Sequence, residues 1–199
     1  MAVDPQPLFE GEVVGELVAF RWTDYDVPFW ARENSDDGRW NYGGQGSTQY
    51  WSLTPEAAWA ELIRHENLKS EEDLDLVRKP FWSARIPSLG LVDLRKSDQR
   101  ESHRITEDDL ISDDLSACQK LAAGLRQGAT RGVIVPSAAL PAHANITLFG
   151  RRRAIDWTTR RALASTIPAT QAALGRPPEG LLPQVRYWSR PGPRGDRLF

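Results

Sequence analysis

The chain has 199 residues, 40% of them hydrophobic, with 25 basic and 27 acidic side chains and a formal charge of -2. That length allows one real core and requires no second domain, and near-neutrality removes any overall pull toward nucleic acid or anionic membrane, so an anion site must be local. No stretch approaches the roughly 20 apolar residues that span a bilayer, and the start, Met1 to Glu16, lacks the basic beginning and apolar run of a secretory signal.

In chain order, the β-branched and aromatic run Glu12 to Trp22 predicts a strand or hairpin ending at Arg21. Thr23 to Ser47 carries Asp36-Asp37-Gly38 and Gly43-Gly44 turn signals and reads as a long loop, a kind of segment that tends to be functional. A short strand, Gln49 to Ser52, precedes Thr54-Pro55-Glu56, which has the form of a helix start and predicts a helix from Pro55 to about Glu66. After a charged connection, Phe81 to Ile86 and Gly90 to Leu94 read as strands. Asp113 to Gln127 has helical spacing, with Leu115, Cys118, Leu121, Ala122 and Leu125 on one face. Gly132 to Val135 and Asn145 to Phe149 follow as strands, and Asp156 to Leu174 as a last helix broken near Pro168. These elements predict a single α+β domain over residues 1–175, with irregular mixed sheets and flanking helices. The Pro- and Arg-rich tail, 176–199, reads as an extended arm or a partly disordered one.

Several residues carry possible chemistry. Arg39 lies in Gly38-Arg39-Trp40-Asn41-Tyr42-Gly43-Gly44, where a guanidinium among free backbone N–H groups suits a phosphate or diphosphate; a solvated arginine beside a glycine turn is the plainer reading. Glu61 shares a helical face with Ala57 and Ala58, small enough for a ligand or backbone to approach, or else pairs with His65 at the surface. Ser137 follows Val133-Ile134-Val135-Pro136 at a strand end, a position for a site group or simply for a turn residue. No Gly-x-Ser-x-Gly elbow surrounds it, and His65, His103 and His143 lack metal-ligand spacing, so neither a serine hydrolase nor a metal site is expected. Trp22, Trp30, Trp40 and Trp51 lie in polar surroundings and either wall a pocket or fill a core. The single Cys118 excludes an internal disulfide and reads as core, and Arg151-Arg152-Arg153 reads as a solvated face or a partner or nucleotide contact.

The order Gly38-Arg39-Trp40-Asn41, Tyr50-Trp51-Ser52 and Pro55 to Glu61 resembles the signature of RES-domain proteins, named for an Arg, a Glu and a Ser. Leu91 to Leu94, Cys118-Gln119, Gly132 to Ser137 and Asn145 to Phe149 extend the resemblance across Val18 to Phe149, and Arg21 corresponds to the family's first-strand arginine. The resemblance implies a compact fold related to the ADP-ribosyltransferases and NAD as substrate, not as a resident cofactor. Family members are mostly bacterial toxins paired with an Xre-like antitoxin; some consume NAD by phosphorolysis, with inorganic phosphate as co-substrate, and one ADP-ribosylates a host enzyme. On this reading Arg39, Tyr50 and Glu61 are the catalytic candidates, with Arg21, Arg39, Tyr50 and Ser137 contacting the dinucleotide. The expected protein is cytoplasmic, binds no nucleic acid or membrane, and degrades NAD; a protein ADP-ribosyltransferase or a silent antitoxin-binding module are the alternatives.

Overall fold

A computed structural model of the protein describes residues 15–23, 36–128, 130–150 and 170–189. Among these, seven strands form one mixed sheet: β1 (Glu16–Trp22), β2 (Thr48–Ser52), β3 (Lys79–Pro87), β4 (Leu91–Asp93), β5 (Gly132–Pro136), β6 (Ala144–Phe149) and β7 (Thr170–Gly175), in the order β4-β5-β6-β2-β1-β3-β7. Only β4 and β5 run parallel; the other neighbours are antiparallel. Five helices accompany them: α1 (Pro55–Glu66), α2 (Glu71–Leu76), α3 (Ser97–Ser102), α4 (Glu107–Ile111) and α5 (Ser116–Gln127). The predicted α+β class holds, as one sheet with flanking helices.

The sheet has a seam. β1 pairs with β3 from Glu16–Pro87 to Trp22–Phe81, and β2 pairs with β6 from Thr48–Phe149 to Ser52–Asn145. Between β1 and β2 the register rests on Phe20–Ser52. Two blocks, β4-β5-β6-β2 and β1-β3-β7, therefore meet along a line flanked by Tyr50 on one strand and Arg21 on the other.

Strand alternation sorts side chains onto the two faces of each block. Leu17, Ala19, Ala84 and Ile86 from one block meet Trp51, Ile134, Ile146 and Leu148 from the other in a single cluster. On the opposite face of β1 and β3, Phe20, Trp22 and Phe81 pack with Trp59, Leu62 and Ile63 of α1. The opposite face of β5 and β6 presents Val133, Val135 and Phe149 to Cys118 and Ala122 of α5, with Trp40 from the preceding loop. Trp40 and Trp51 are thus core residues, each 1% exposed. Gly132 lets β5 and β6 come together: a Cβ there would stand 2.0 Å from the Thr147 carbonyl oxygen, a backbone atom that cannot move aside.

Helix α1 begins and ends as predicted. Thr54 caps it, its side chain accepting from the Ala57 N–H, Pro55 opens the first turn, and Asn67 closes it in the left-handed region at φ 56°. Elsewhere the structure departs from the sequence reading. The charged connection before β3 contains α2, and α3 and α4 also went unanticipated. Local capping makes α2 and α4: Ser70 caps α2, and Thr106 with Asp109 forms a reciprocal capping box on α4. Helices this short leave no periodic trace. The helix predicted to start at Asp113 starts at Ser116.

The helix predicted for Asp156 to Leu174 falls partly outside the described residues, but its end is a strand. Thr170–Gly175 pairs antiparallel with β3, from Ser83–Thr170 to Lys79–Gly175, so pairing with an open sheet edge overrides local helical spacing. Arg151-Arg152-Arg153 and Trp30 also lie outside the described residues. The tail, as far as it is described, is no arm. Leu181 and Val185 are buried in the α1 cluster, with Leu182 and Tyr187 packed beside them, because apolar residues interrupt its Pro and Arg composition at a spacing that suits a groove.

Candidate active site

Two structural corners make up the site. The first is anionic. Glu61 projects from α1, whose neighbouring Ala57, Ala58 and Ala60 are fully buried and let the helix lie close to the sheet. Its Oε1 accepts from Ser137 Oγ at 3.0 Å and from Asn145 Nδ2 at 2.6 Å. Ser137 follows β5 and is wholly buried; its Oγ also accepts from the N–H groups of Ala139 (3.2 Å) and Leu140 (3.0 Å). One donor and two acceptor sites are all that a hydroxyl has, so the hydrogen-bonding capacity of Ser137 is filled within the protein. Asn145 Oδ1, by contrast, is buried without a protein partner beside the carboxylate, and so is Thr147 Oγ1 two residues along the same face of β6. Buried polar groups are seldom left unpaired, and where they cluster a ligand is a natural partner.

The second corner is cationic. Arg39 Nη1 donates to the carbonyls of Leu110 (3.1 Å) and Ser112 (2.7 Å) around the end of α4, while its buried Nη2 has no protein partner. Arg64, one helical turn beyond Glu61, is 2% exposed. Its Nη2 pairs with Asp113 Oδ1 at 2.8 Å, its Nη1 donates to the Ala138 carbonyl, and its Nε lacks a partner. Burial pulls its pKa down from the usual guanidinium value, as does the charge of Arg39, whereas Glu61 and Asp113 oppose the shift. The ring of Trp188 lies 3.9 Å from Arg64 Cζ and 5.8 Å from Arg39 Cζ.

Tyr50 stands between these corners and the seam. It is 39% exposed, yet its hydroxyl end is turned inward, accepting from Trp40 N–H at 3.3 Å and donating to Asn41 Oδ1 at 2.9 Å. Burial pushes this phenol up to about 12, against the lowering effects of the Trp40 hydrogen bond, Arg126 and Arg39. The fit is tight: a Cβ on Gly38 would meet Asn41 Oδ1 at 2.5 Å and Tyr50 Oη at 2.6 Å, so a side chain there requires these two hydrogen-bonded ends to shift. Gln119 Nε2 holds the same turn from α5 by donating to Gly38 O at 3.0 Å. Arg126 secures it from below through Trp40 O (3.2 Å) and Thr48 Oγ1 (2.6 Å).

The structure thus brings Glu61 and Ser137 into direct contact and sets Tyr50 within electrostatic reach of Arg39. Arg21 lies apart from them. It has the strand parity of Leu17 and Ala19, and its guanidinium is 5.8 Å from the Trp51 ring centroid, on the other side of the sheet from Tyr50 and Asn145. A surface Glu61–His65 pair is not what forms; Glu61 turns inward and His65 is exposed beside Trp22. Arg64, Asn145, Asn41, Asp113 and Trp188 were not singled out in the sequence. The apolar flank Leu62-Ile63 of Arg64 was the available signal, since an arginine in phase with buried residues needs a partner.

Such an arrangement, a carboxylate held by two side chains together with one half-buried and one buried guanidinium, sits on the mixed sheet of an α+β domain. Comparison with known proteins narrows the class: the RES domain model matches residues 17–172, and the protein belongs to that family. A relative from Mycobacterium tuberculosis, named "Probable NAD(+) phosphorylase Rv3189", is 31% identical over 112 residues, a match spanning 56% of this chain and about half (53%) of that protein's length. The crystal structure of the M. tuberculosis MbcT–MbcA toxin–antitoxin complex contains a chain of the same fold, with a TM-score of 0.58 at 20% identity over 79% of this chain and 83% of that one.

Proposed function

We propose that the protein is an NAD-degrading toxin that cleaves the nicotinamide–ribose bond, with inorganic phosphate as acceptor. The observation that carries this reading is Glu61 held by Ser137 and Asn145 with a free buried acceptor, Asn145 Oδ1, at its side. The name of the mycobacterial relative and membership in the RES family support it.

When the bond between the ribose anomeric carbon and the pyridinium nitrogen breaks, its electron pair goes to that nitrogen, nicotinamide leaves neutral, and positive charge develops on the ribose. Glu61 stabilises that charge, and its orientation is fixed before substrate arrives, which is what makes a preorganised charge effective. Asn145 Oδ1 accepts from a ribose hydroxyl. Ser137, with its capacity filled, aims the carboxylate and contributes no nucleophile. Arg39 uses its unpaired Nη2 on a phosphate, Tyr50 lays its exposed ring edge against the nicotinamide, and an oxygen of inorganic phosphate closes on the anomeric carbon to give ADP-ribose 1''-phosphate. No general acid is needed, because the leaving group is already cationic. Arg21 can serve as a second anion ligand only where the dinucleotide crosses the seam between β1 and β2. In this reading an Xre-type antitoxin restrains the enzyme in the cytoplasm.

Incubating the purified protein with NAD, with and without phosphate, and weighing the products by mass spectrometry tests the proposal. Nicotinamide and ADP-ribose 1''-phosphate are expected in phosphate. Turnover that ignores phosphate overturns phosphorolysis, transfer of ADP-ribose to added protein selects the ADP-ribosyltransferase reading, and intact NAD overturns the enzyme.

A further inference from the structure

The family match ends at residue 172, yet the chain returns to the site fourteen residues later. The Arg186 N–H donates to the Ala139 carbonyl at 2.8 Å. The Tyr187 hydroxyl donates to the Leu68 carbonyl, and Lys69 Nζ sits 3.3 Å above the Tyr187 ring. Trp188 covers the Arg64 guanidinium at 3.9 Å. Ser189 gives both its N–H (2.6 Å) and its hydroxyl to Asp113 Oδ2. Asp113 in turn holds Arg64, and Arg64 holds the Ala138 carbonyl.

These contacts converge on one structure, the turn Ser137–Leu140. Its carbonyls at 138 and 139 are tied by Arg64 and Arg186, while its N–H groups at 139 and 140 hold the Ser137 Oγ, which in turn donates to Glu61. A buried guanidinium is retained only when its charge is met, and here Asp113 and the Trp188 face meet it. We infer that Arg186–Ser189 is a positioning clasp for the active site: this tail segment, beyond the residues matched by the family model, fixes the Ser137 turn and through it the Glu61 carboxylate. The inference rests on the reading of Glu61 as the residue at the reacting carbon. Trp188, Asp113 and Arg64 are positioning residues, since they act through Ser137 and Glu61.

The test uses the full-length chain in four forms: wild type, Trp188→Ala, Trp188→Phe and Glu179→Ala, the last an exposed tail position away from the clasp. Trp188→Ala is expected to lower kcat for nicotinamide release on the order of ten- to a hundredfold with little change in KM, because a small misplacement of a reacting group is costly. Trp188→Phe keeps an aromatic face and should recover most of the loss, and Glu179→Ala should match wild type. Amide hydrogen exchange read at Ala139 and Leu140 should quicken in Trp188→Ala alone. Wild-type kcat and unchanged exchange in a folded Trp188→Ala overturn the clasp. Should that variant fail to fold, Ser189→Ala and Asp113→Asn at the less buried end decide instead: faster exchange at the same two amides upholds the clasp, and wild-type exchange overturns it. A wild-type chain that leaves NAD intact removes the functional reading, while the exchange data still judge the clasp.

Discussion

Glu61 is held by side chains from regular elements, Asn145 on β6 and Ser137 at the end of β5, whereas Arg39 sits in a loop and is held by main-chain carbonyls at the end of a five-residue helix. The carboxylate corner is built on regular elements, and its spare capacity lies in acceptors, Asn145 Oδ1 and Thr147 Oγ1. The guanidinium corner keeps spare donors on Arg39 and Arg64 and takes most of its partners from main-chain carbonyls and the tail. On the proposed reading, precision at the reacting carbon calls for the first design, because charge stabilisation depends on fixed geometry. Grip on phosphates tolerates the second, since planar forks with free N–H groups adapt to an arriving anion.

The sharpest way to break this division is at the carboxylate corner. Glu61→Gln keeps the shape and removes the charge; nicotinamide release should fall on the order of a thousandfold, while NAD binding measured by calorimetry stays within a few-fold. Ser137→Ala comes next. It strips one donor from Glu61 and leaves the N–H groups of Ala139 and Leu140 without their acceptor, so denaturant titration should show a loss of about 2 kcal/mol alongside slower turnover. Lost stability with intact turnover would make Asn145 a sufficient anchor.

At the adaptable corner the expected effects are smaller and of another kind. Arg39→Lys can keep the Leu110 and Ser112 carbonyls, which one nitrogen meets, but loses the second nitrogen, Nη2; steady-state kinetics should show KM for NAD rising about tenfold, the equivalent of one charged hydrogen bond, with kcat little changed. Asp113 tests the electrostatics there. Partial burial disfavours its charge, but hydrogen bonds from Ser189 and the charge of Arg64 outweigh this and hold the carboxyl below its ordinary value of 3.8. A depressed folded-state pKa contributes stability that is present above 3.8 and lost as pH falls through the folded value. The stability advantage of wild type over Asp113→Asn should therefore be full near neutrality and close in stronger acid.

The smallest effect concerns Tyr50, beside the Arg39 turn. Its phenol is raised from 10.0 to about 12, so its contribution to stability is complete below 10.0 and lost as pH rises through about 12. Ultraviolet titration of wild type against Tyr50→Phe should show one late phenolate, and activity at neutral pH should not titrate with it.

What could be read in the sequence follows the same division. The carboxylate corner is written in local signals: Thr54-Pro55 starts α1, Ala57 and Ala58 set its close face, and Gly132 to Ser137 forms a buried strand with an abrupt end. The guanidinium corner is not. Arg64 lies in Arg64-His65-Glu66, which looks like a solvated helix end, and its burial is settled by Asp113, 49 positions away, and by Trp188 in the tail. No local window contains both. The placement of Arg21 was legible in part, since it continues the alternation of Leu17 and Ala19 and so shares their face. The end strand Thr170–Gly175 was not, because its conformation depends on the free edge of β3.

The most direct test is the structure of the Glu61→Gln variant with NAD bound. The proposed mechanism places the anomeric carbon of the nicotinamide ribose beside residue 61, a ribose hydroxyl on Asn145 Oδ1, and a phosphate on Arg39 Nη2. A dinucleotide bound with its nicotinamide ribose away from residue 61 would contradict it.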